Sequence, residues 1–463
     1  MEEEREAVNT PLLESDLSSS SSVTFVVVFS TIVASFSSYT YGNAVGYSSP
    51  AESGILNEVG LTLAEYSVFG SIQSIGAMCG ALVSGKISDV LGRKGAMGVS
   101  DLFCIIGWLA IAFAKNALWL DVGRFLVGCG IGVISYVVPV YIAEISPKNV
   151  RGTFLSMKHM MISFGKAAFF LIGSAVNWRT LALIGVVPCL LQFLGLFYVP
   201  ESPRWLMKME QVKKFESALY RLRGENADIS LEKTEIREYT EYSKTISGDG
   251  ILSLFQRKYA YCVTIGLGLL LFQQFGGLGG IVFYTSAILQ SAGFPSKIGS
   301  VLVATAQIIT SVLGVCFIDK FGRIPLLLIS AAGLCLGCFL TGLSFFLKDV
   351  HFGENVSPVL ALLGLLVYYA SFGVGMEGMP WIIASEVFPI NIKGSAGSLI
   401  NVLSWSSSWL VSYTFNFIFK WSSAGTFFIF AGVCGANVVF IWKMVPETKG
   451  RTLEELHASL TRQ

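Results

Sequence analysis

The chain has 463 residues, of which 53% are hydrophobic and only 14% are charged. Soluble globular domains carry about a quarter charged residues, so this composition excludes an ordinary soluble domain. The net charge of +1 comes with no basic stripe, which argues against a nucleic-acid-binding role. The three histidines are scattered and show no metal-ligand or nucleophile–base spacing, so we expect neither an enzyme nor a bound metal.

Apolar segments occupy most of the chain. Windows of roughly 20 apolar residues, long enough to cross a bilayer, lie at 23–46, 62–85, 96–114, 118–142, 153–175, 180–199, 260–290, 298–318, 325–347, 358–384, 394–418 and 423–444. They predict an all-α membrane protein with twelve transmembrane helices in two six-helix bundles. The predicted domains are an N-tail (1–22), an N-terminal bundle (23–199), a linker with short amphipathic helices (200–258), a C-terminal bundle (260–445) and a C-tail (446–463).

Lysines and arginines are sorted to one side of these segments. Most of the 32 lie in the tails, the linker and the even-numbered loops, whereas the opposite loops hold Lys115, Arg179, Lys297, Lys348 and Lys420. Because basic residues accumulate in cytoplasmic loops, both termini and the linker are predicted to be cytoplasmic.

One cytoplasmic motif occurs in both halves. Asp89 and Arg93 in GKISDVLGR have the same spacing as Asp319 and Arg323 in IDKFGR. An acid and a base at i and i+4 can pair at a helix end, and the glycine before each arginine permits a tight turn. The repeat indicates two similar bundles that rock against each other, as in alternating-access transporters.

A second set of charges repeats in the same way, and its members are Glu144 with Arg151, Glu386 with Lys393, and Glu201 of PESPRWL with Glu447 of PETKGR. With the first motif, they are predicted to form a cytoplasmic ion-pair network that holds the outward-facing state and breaks on inward opening. Simple placement of basic residues on the cytoplasmic side is the alternative. Lys393 replaces an arginine and lacks its bidentate fork, so the second copy is expected to be weaker.

Together these motifs resemble those of sugar porters of the major facilitator superfamily. The ordered set is GKISDVLGRK, GRFLVG, YIAEISPKNVRG, PESPRWL, QQFGG, DKFGR, PWIIASEVFP and PETKGRTLEE. YGNAVGYSSP and VFPINIKGSAGSL resemble the plant dehydration-responsive (early-responsive-to-dehydration-like) subgroup of monosaccharide transporters. The resemblance implies the twelve-helix fold of that superfamily, a central sugar site between the halves, and no cofactor.

A sugar site needs amides that pair with hydroxyls and an aromatic face for the ring. Gln273 and Gln274 lie in an apolar span, where unpaired amides are costly. The resemblance assigns both to sugar contact, with a structural bridge between helices as the alternative. It also places Trp381, Trp405 and Gln307 near the ligand, although either tryptophan could serve packing alone.

Three positions depart from the family pattern. Gly279 stands where relatives have asparagine, and His159 where they have a sugar-binding glutamine. Ala44 stands where proton-coupled relatives have aspartate. The resemblance therefore predicts that proton coupling through that site is absent, and that transport is facilitated diffusion.

Two charges, Lys166 and Glu377, fall in the middle of predicted spans. His159, Ser163 and Lys166 share one helix face by their spacing, and a mid-membrane charge costs on the order of a few kcal/mol. We hypothesise an ion pair between Lys166 and Glu377 across the two halves, which could be a gate, a substitute proton site or a ligand contact. In the alternative, Lys166 faces a watery crevice and Glu377 bonds local backbone.

The N-tail segment PLLE resembles an acidic dileucine sorting signal of vacuolar transporters, although Val8 stands where the upstream acid is expected. Leu12 and Leu13 therefore predict a sorting adaptor as partner, and the vacuolar rather than the plasma membrane. The leading function is a hexose uniporter in that bilayer. The alternatives are a proton-linked sugar transporter that uses Glu377 or His159, a non-transporting sugar sensor, and a carrier of another polar solute.

Overall fold

The computed structural model describes residues 23–147, 150–225, 227–245, 254, 256–352, 355–388 and 392–447, without the side chains of 242–245, 257–258, 315–321, 385 and 393–394. The regular elements in these ranges are helices. The N-terminal half contains α1 (Phe25–Val59), α2 (Leu63–Ala112), α3 (Ala117–Ile145), α4 (Arg151–Gly173) and α5 (Trp178–Gly195).

Helix α2 contains two membrane helices that meet at Gly92. It begins with a capping box, in which Thr62 and Glu65 satisfy each other's backbone N–H groups. Gly92 has φ 79° and ψ 177°, a backbone conformation open almost only to glycine. A Cβ at this position would also clash with the carboxylate of Glu201. The predicted tight turn between the second and third spans is therefore present.

Replacing Gly92 with alanine is expected to lower the free energy of unfolding by about 1–3 kcal/mol, the cost of forcing a side chain into that region. Gly85, in the same helix, is a matched control because a Cβ there would meet no atom within 4 Å. Thermal unfolding in detergent should show the loss for Gly92→Ala alone. Equal effects of the two substitutions would contradict this account of the turn.

Three short helices follow the N-terminal half: α6 (Pro203–Lys208), α7 (Val212–Arg223) and α8 (Ser230–Thr245). The short amphipathic helices predicted for the linker are therefore present, and α7 buries Phe215 and Leu219 on one face. Thr24 Oγ1 donates to Leu222 O at 2.6 Å, and Arg223 Nη1 donates to Ile145 O at 2.9 Å. These bonds attach the linker helices to the N-terminal half.

The C-terminal half contains α9 (Arg257–Phe275), α10 (Leu278–Phe283), α11 (Thr285–Ala292), α12 (Ser296–Phe321), α13 (Arg323–Asp349), α14 (Ser357–Ser371), a π-helical turn (Phe372–Met376), α15 (Met379–Val387), α16 (Lys393–Trp421) and α17 (Ser423–Met444). Two predicted continuous spans are broken. The seventh divides into α9, α10 and α11, with Gly277 left-handed at the first break. The tenth is interrupted by the π-helical turn.

Nine helices in the described ranges are long and apolar enough to cross a membrane. Counting the two arms of α2 separately and adding α4 and α16 accounts for the twelve spans predicted. Helix α4 holds Lys158 and Lys166, and α16 is rich in serine, which explains why apolarity alone does not mark them. Helix α1 runs to Val59, beyond the predicted end at residue 46.

Candidate functional site

An ion pair joins the two halves. Lys166 Nζ of α4 lies 3.2 Å from Glu377 Oε1, which follows the π-helical turn, and these side chains are 4% and 10% exposed. Ser163 Oγ lies 2.6 Å from both carboxylate oxygens, and Ser311 Oγ of α12 lies 3.4 Å from Glu377 Oε2. The contact hypothesised between Lys166 and Glu377 is thus present. We call Lys166, Ser163, Glu377 and Ser311 the central cluster.

The π-helical turn positions Glu377 toward α4. Its backbone N–H donates to Phe372 O at 3.0 Å, five residues earlier, and Met376 N–H donates to Ser330 Oγ at 2.9 Å. Gln273 Nε2 donates to Met376 O, the carbonyl next to Glu377. Lys166 Nζ also lies 5.5 Å from the centre of the Phe372 ring. The irregular backbone is therefore bonded by side chains from neighbouring helices.

The three glutamine amides predicted to contact sugar differ in their hydrogen bonds. Gln273 bridges two helices through Met376 O, which matches the structural alternative considered for it. Gln274 Nε2 donates to Ser404 Oγ at 3.3 Å, and its Oε1 has no partner among the described residues. Gln307 is fully buried, and neither its Nε2 nor its Oε1 has a partner there. Because Gln307 lies one turn before Ser311 on α12, its free amide is near the central cluster.

Aromatic rings border this region. The Trp405 ring of α16 lies 5.9 Å from that of Tyr41 in α1, at an interplanar angle of 44°. Glu377 acts electrostatically on the Tyr41 phenol, which places Tyr41 beside the central cluster. Trp381 is partly buried near the start of α15, packed against the core. Sequence reasoning missed Tyr41 and Ser311, because an uncharged residue in an apolar span carries no local signal.

The three residues that depart from the family pattern are Gly279, Ala44 and His159, and the structure shows what surrounds each of them. A Cβ on Gly279 would lie 3.2 Å from Ser408 O, so a larger side chain there would require α16 to shift. Ala44 is fully buried. His159 borders a cavity of about 30 Å³ that Glu377 also lines, space for about one water molecule. His159 and Glu377 therefore share one small pocket between the halves.

Glu201 and Arg93 organise the cytoplasmic network of the N-terminal half. The Arg93 guanidinium makes a bidentate contact with Glu144, at 2.8 and 2.9 Å, and lies 3.8 Å from Asp89. Glu201 accepts from the backbone N–H groups of Arg93 and Lys94, at the start of a helical arm that attracts anions. Burial raises the pKa of Glu201, and these backbone bonds oppose the rise.

The C-terminal half repeats this arrangement with a longer ion pair. Glu447 accepts from the backbone N–H groups of Arg323 and Ile324, both at 3.1 Å, just after Gly322 with φ 84°. Arg323 Nη2 lies 3.5 Å from Glu386 Oε1. The predicted Asp319–Arg323 and Glu386–Lys393 pairs lie outside the described residues, because the side chains of 319 and 393 are not described.

The predicted pairing of Glu144 with Arg151 is wrong for this structure. Glu144 instead accepts from the Arg93 guanidinium through both oxygens and from Ser202 Oγ at 2.6 Å, and no contact with Arg151 is seen among the described residues. Arg151 lies near Arg204 and Arg223 instead, and its Nε has no partner in the described ranges.

Contacts between the halves also close the side opposite the linker. Ser49 Oγ of α1 lies 2.8 Å from both Oγ and N of Ser286 in α11. Asn416 Nδ2 of α16 donates to Ser67 Oγ of α2 at 2.9 Å. The Tyr284 ring, from the break between α10 and α11, lies 6.3 Å from that of Tyr66. We call these six residues the outer gate, which sequence reasoning missed because it contains no charge.

One Arg–Glu contact of each cytoplasmic network is formed in this structure, in which the outer gate is closed. The Arg93–Glu144 contact stays within the N-terminal half, and the Arg323–Glu386 contact stays within the C-terminal half. The expectation that the network holds the outward-facing state and breaks on inward opening stays a prediction, and these two contacts would have to contribute to it from within each half.

The chain matches the family described as "Sugar (and other) transporter" over residues 20–460. "Sugar transporter ERD6-like 7" of Arabidopsis thaliana is 48% identical, and the match covers 99% of each chain. "Sugar transporter ERD6-like 16" of the same plant is 52% identical over 95% of this chain and 91% of its own length. These relatives are named as transporters and not as enzymes, in agreement with the sequence analysis.

Two solved structures share the fold. The inward-open xylose transporter XylE from E. coli is 26% identical with a TM-score of 0.78, covering 94% of this chain and 99% of its own. The proton:xylose symporter XylE bound to 6-bromo-6-deoxy-D-glucose has a TM-score of 0.77 with the same coverage and 24% identity, and shows the fold alone. The predicted twelve-helix architecture of the major facilitator superfamily is confirmed.

Proposed function

This chain belongs to the sugar transporter family of the major facilitator superfamily, and from that premise we propose that it is a uniporter that carries hexoses by facilitated diffusion. The ligand is bound between the halves, beside the central cluster. The proposed contacts are the amides of Gln273, Gln274 and Gln307, the aromatic faces of Trp381 and Trp405, and the neighbouring His159 and Gly279.

The observation that carries this proposal is the free amide of Gln307. A buried amide whose donor and acceptor both lack partners is rare, because each unmade bond costs about 1–3 kcal/mol. A ligand hydroxyl can both donate and accept, so it satisfies such an amide. Lys166 and Glu377 balance each other's charge at 3.2 Å, so an uncharged sugar leaves the electrostatics of the site unchanged.

Different observations support uniport and the location in the vacuolar membrane. Ala44 replaces the aspartate expected of proton-coupled relatives, and Glu377 already has Lys166 and Ser163 as partners. Leu12 and Leu13, which lie outside the described residues, support binding of a sorting adaptor and the vacuolar membrane. The positive-inside pattern supports cytoplasmic termini. The cytoplasmic networks would then stiffen each half while the halves rock against each other.

Uptake of radiolabelled glucose and fructose into liposomes, with and without an inward proton gradient, tests this function. Equilibration that ignores the gradient is the expected result. Accumulation above equilibrium would overturn uniport and favour proton coupling through Glu377 or His159. No uptake by folded protein would overturn hexose transport and favour a sensor or another polar solute.

Replacing Gln307 with alanine is expected to raise KM for the hexose about tenfold, the loss of one hydrogen bond of about 1.4 kcal/mol. The variant should lose no hydrogen bond within the described residues, since the Gln307 amide makes none there, so its unfolding temperature reflects only the loss of buried packing. Gln273→Ala is the matched control, because it removes the bond to Met376 O and should also lower the unfolding temperature. An unchanged KM for Gln307→Ala would contradict sugar contact at this residue.

A further inference from the structure

A carboxylate without a protein partner lies at the outer gate. Glu52 of α1 is only 6% exposed, and its Oε2 has no hydrogen-bond partner in the described ranges. It lies one turn beyond Ser48 and Ser49, and close enough to the Tyr66 and Tyr284 phenols to act on them electrostatically. We propose that Glu52 is a proton-binding site that closes the outer gate when the solution on that side is acidic.

Among the described residues, no basic side chain forms an ion pair with Glu52, although Arg124 lies in the same region with its Nε and Nη1 unbonded. Tyr66 Oη donates to Ser48 O at 2.6 Å, so its proton is already committed. The Arg124 guanidinium bonds Ser48 Oγ and lies over the rings of Tyr47 and Phe69. The charged and titratable groups in this region, linked to one another by electrostatic interactions, are Tyr47, Glu58, Glu65, Tyr66, Asp121, Arg124, Arg179 and Tyr284. Of these, Glu58 is bound by Arg179 at 2.8 Å.

Closure of the gate buries Glu52. Tyr284 comes from the C-terminal half and packs against the N-terminal half, where a Cβ on Gly70 would lie 2.8 Å from Tyr284 Oη. Separation of the outer ends would withdraw Tyr284 and admit water to Glu52. An ionised carboxylate without a donor is strongly disfavoured in a dry site, and it binds a proton instead. Closure therefore takes up a proton, and acid favours closure.

This site regulates the gate without moving protons across the membrane. Water would reach Glu52 from the outer side when the gate opens, so the proton returns to the side from which it came. The mechanism rests on the alternating access of the proposed function, and it is compatible with uniport. If the outer side is an acidic lumen, the gate is biased toward closure there.

The test measures the distance between the outer ends of the two halves at several pH values, without substrate. Spin labels are placed on cysteines replacing Ala64 and Lys297, which are exposed near the outer ends of α2 and α12, after replacement of the exposed Cys79 by serine. Acidification should increase the short-distance population of the parent protein by up to about tenfold per pH unit, the limit for one proton. In Glu52→Gln the short-distance population should be high at every pH.

Glu58→Gln is the matched control, because Glu58 is an exposed acid on the same helix, and it should keep the pH response of the parent. Glu52→Ala gives a second variant and should also lose the response. A parent protein whose distances ignore pH, or a Glu52→Gln protein that responds like the parent, would overturn the proposal. Since no sugar is added, this result is independent of whether hexose uptake is observed.

Discussion

Replacement of Glu377 by glutamine is expected to lower the free energy of unfolding by about 3–5 kcal/mol, the usual cost of removing one partner of a buried ion pair. The change leaves the Lys166 ammonium, 4% exposed, without a counter-charge. The Phe372 ring, 5.5 Å away, is its other observed contact and compensates only partly. The transport rate should also fall, because the Lys166–Glu377 ion pair joins the two halves.

The reverse substitution should cost less. In Lys166→Met the Glu377 carboxylate keeps Ser163, at 2.6 Å from both oxygens, and Ser311, at 3.4 Å. The double variant Lys166→Met/Glu377→Gln should be more stable than Glu377→Gln alone, because it buries no unpaired charge. We therefore expect Glu377→Gln to be destabilised more than Lys166→Met and more than the double variant.

Thermal and denaturant unfolding of the four proteins in detergent form a double-mutant cycle that measures this coupling. The exposed pair Glu58–Arg179 is a matched control, at 52% and 34% exposure, and its cycle should give less than about 1 kcal/mol. Additive losses in the Lys166–Glu377 cycle would contradict the pairing and favour two independently solvated charges.

Replacement of Arg93 by lysine is the second large effect expected. Lysine keeps the charge but cannot hold both oxygens of Glu144, at 2.8 and 2.9 Å, while also reaching Ser88 O, at 3.2 Å. We expect a loss of about 2–3 kcal/mol in stability, the value of a charge-assisted hydrogen bond or more. The exchange rate of sugar should fall accordingly.

Arg323→Lys is the control that the repeat itself offers. Arg323 makes one contact of 3.5 Å with Glu386 and is more exposed, so its replacement should cost less than about 1 kcal/mol. Measurement of unfolding and of tracer exchange on both variants compares the two halves directly. Equal losses would show that the bidentate geometry at Arg93 carries no extra stability.

Much of this architecture was readable from the sequence because membranes impose strong patterns. Most of the twelve spans follow from apolar length, with α4 and α16 the less apolar exceptions, and the repeated glycine turns at Gly92 and Gly322 follow from motif spacing. Charges in an apolar span are conspicuous, so Lys166 and Glu377 could be singled out and their contact hypothesised. A charge without a partner is costly in the membrane interior. A charged residue within an apolar span therefore indicates that an oppositely charged residue lies near it in the fold.

Other features depend on which side chains meet in the folded structure, and the sequence alone does not show this. Glu144 has two bases in reach along the sequence pattern, and only the packed structure shows that Arg93 occupies it rather than Arg151. The serines of the outer gate are ordinary in membrane helices, so nothing local distinguishes Ser49 or Ser67. The π-helical turn at Phe372–Met376 arises from bonds with Ser330 and Gln273 on other helices, which no window of sequence contains.

The separation of Lys166 and Glu377 along the chain has a consequence for biosynthesis. The two residues are 211 positions apart, so at about 5–20 residues per second the ribosome adds Glu377 roughly 10–40 seconds after Lys166. During that interval the newly inserted first bundle holds a lysine with no counter-ion from the second. When the second bundle is complete, Glu377 supplies the counter-charge. Formation of the ion pair with Lys166 then favours association of the two halves.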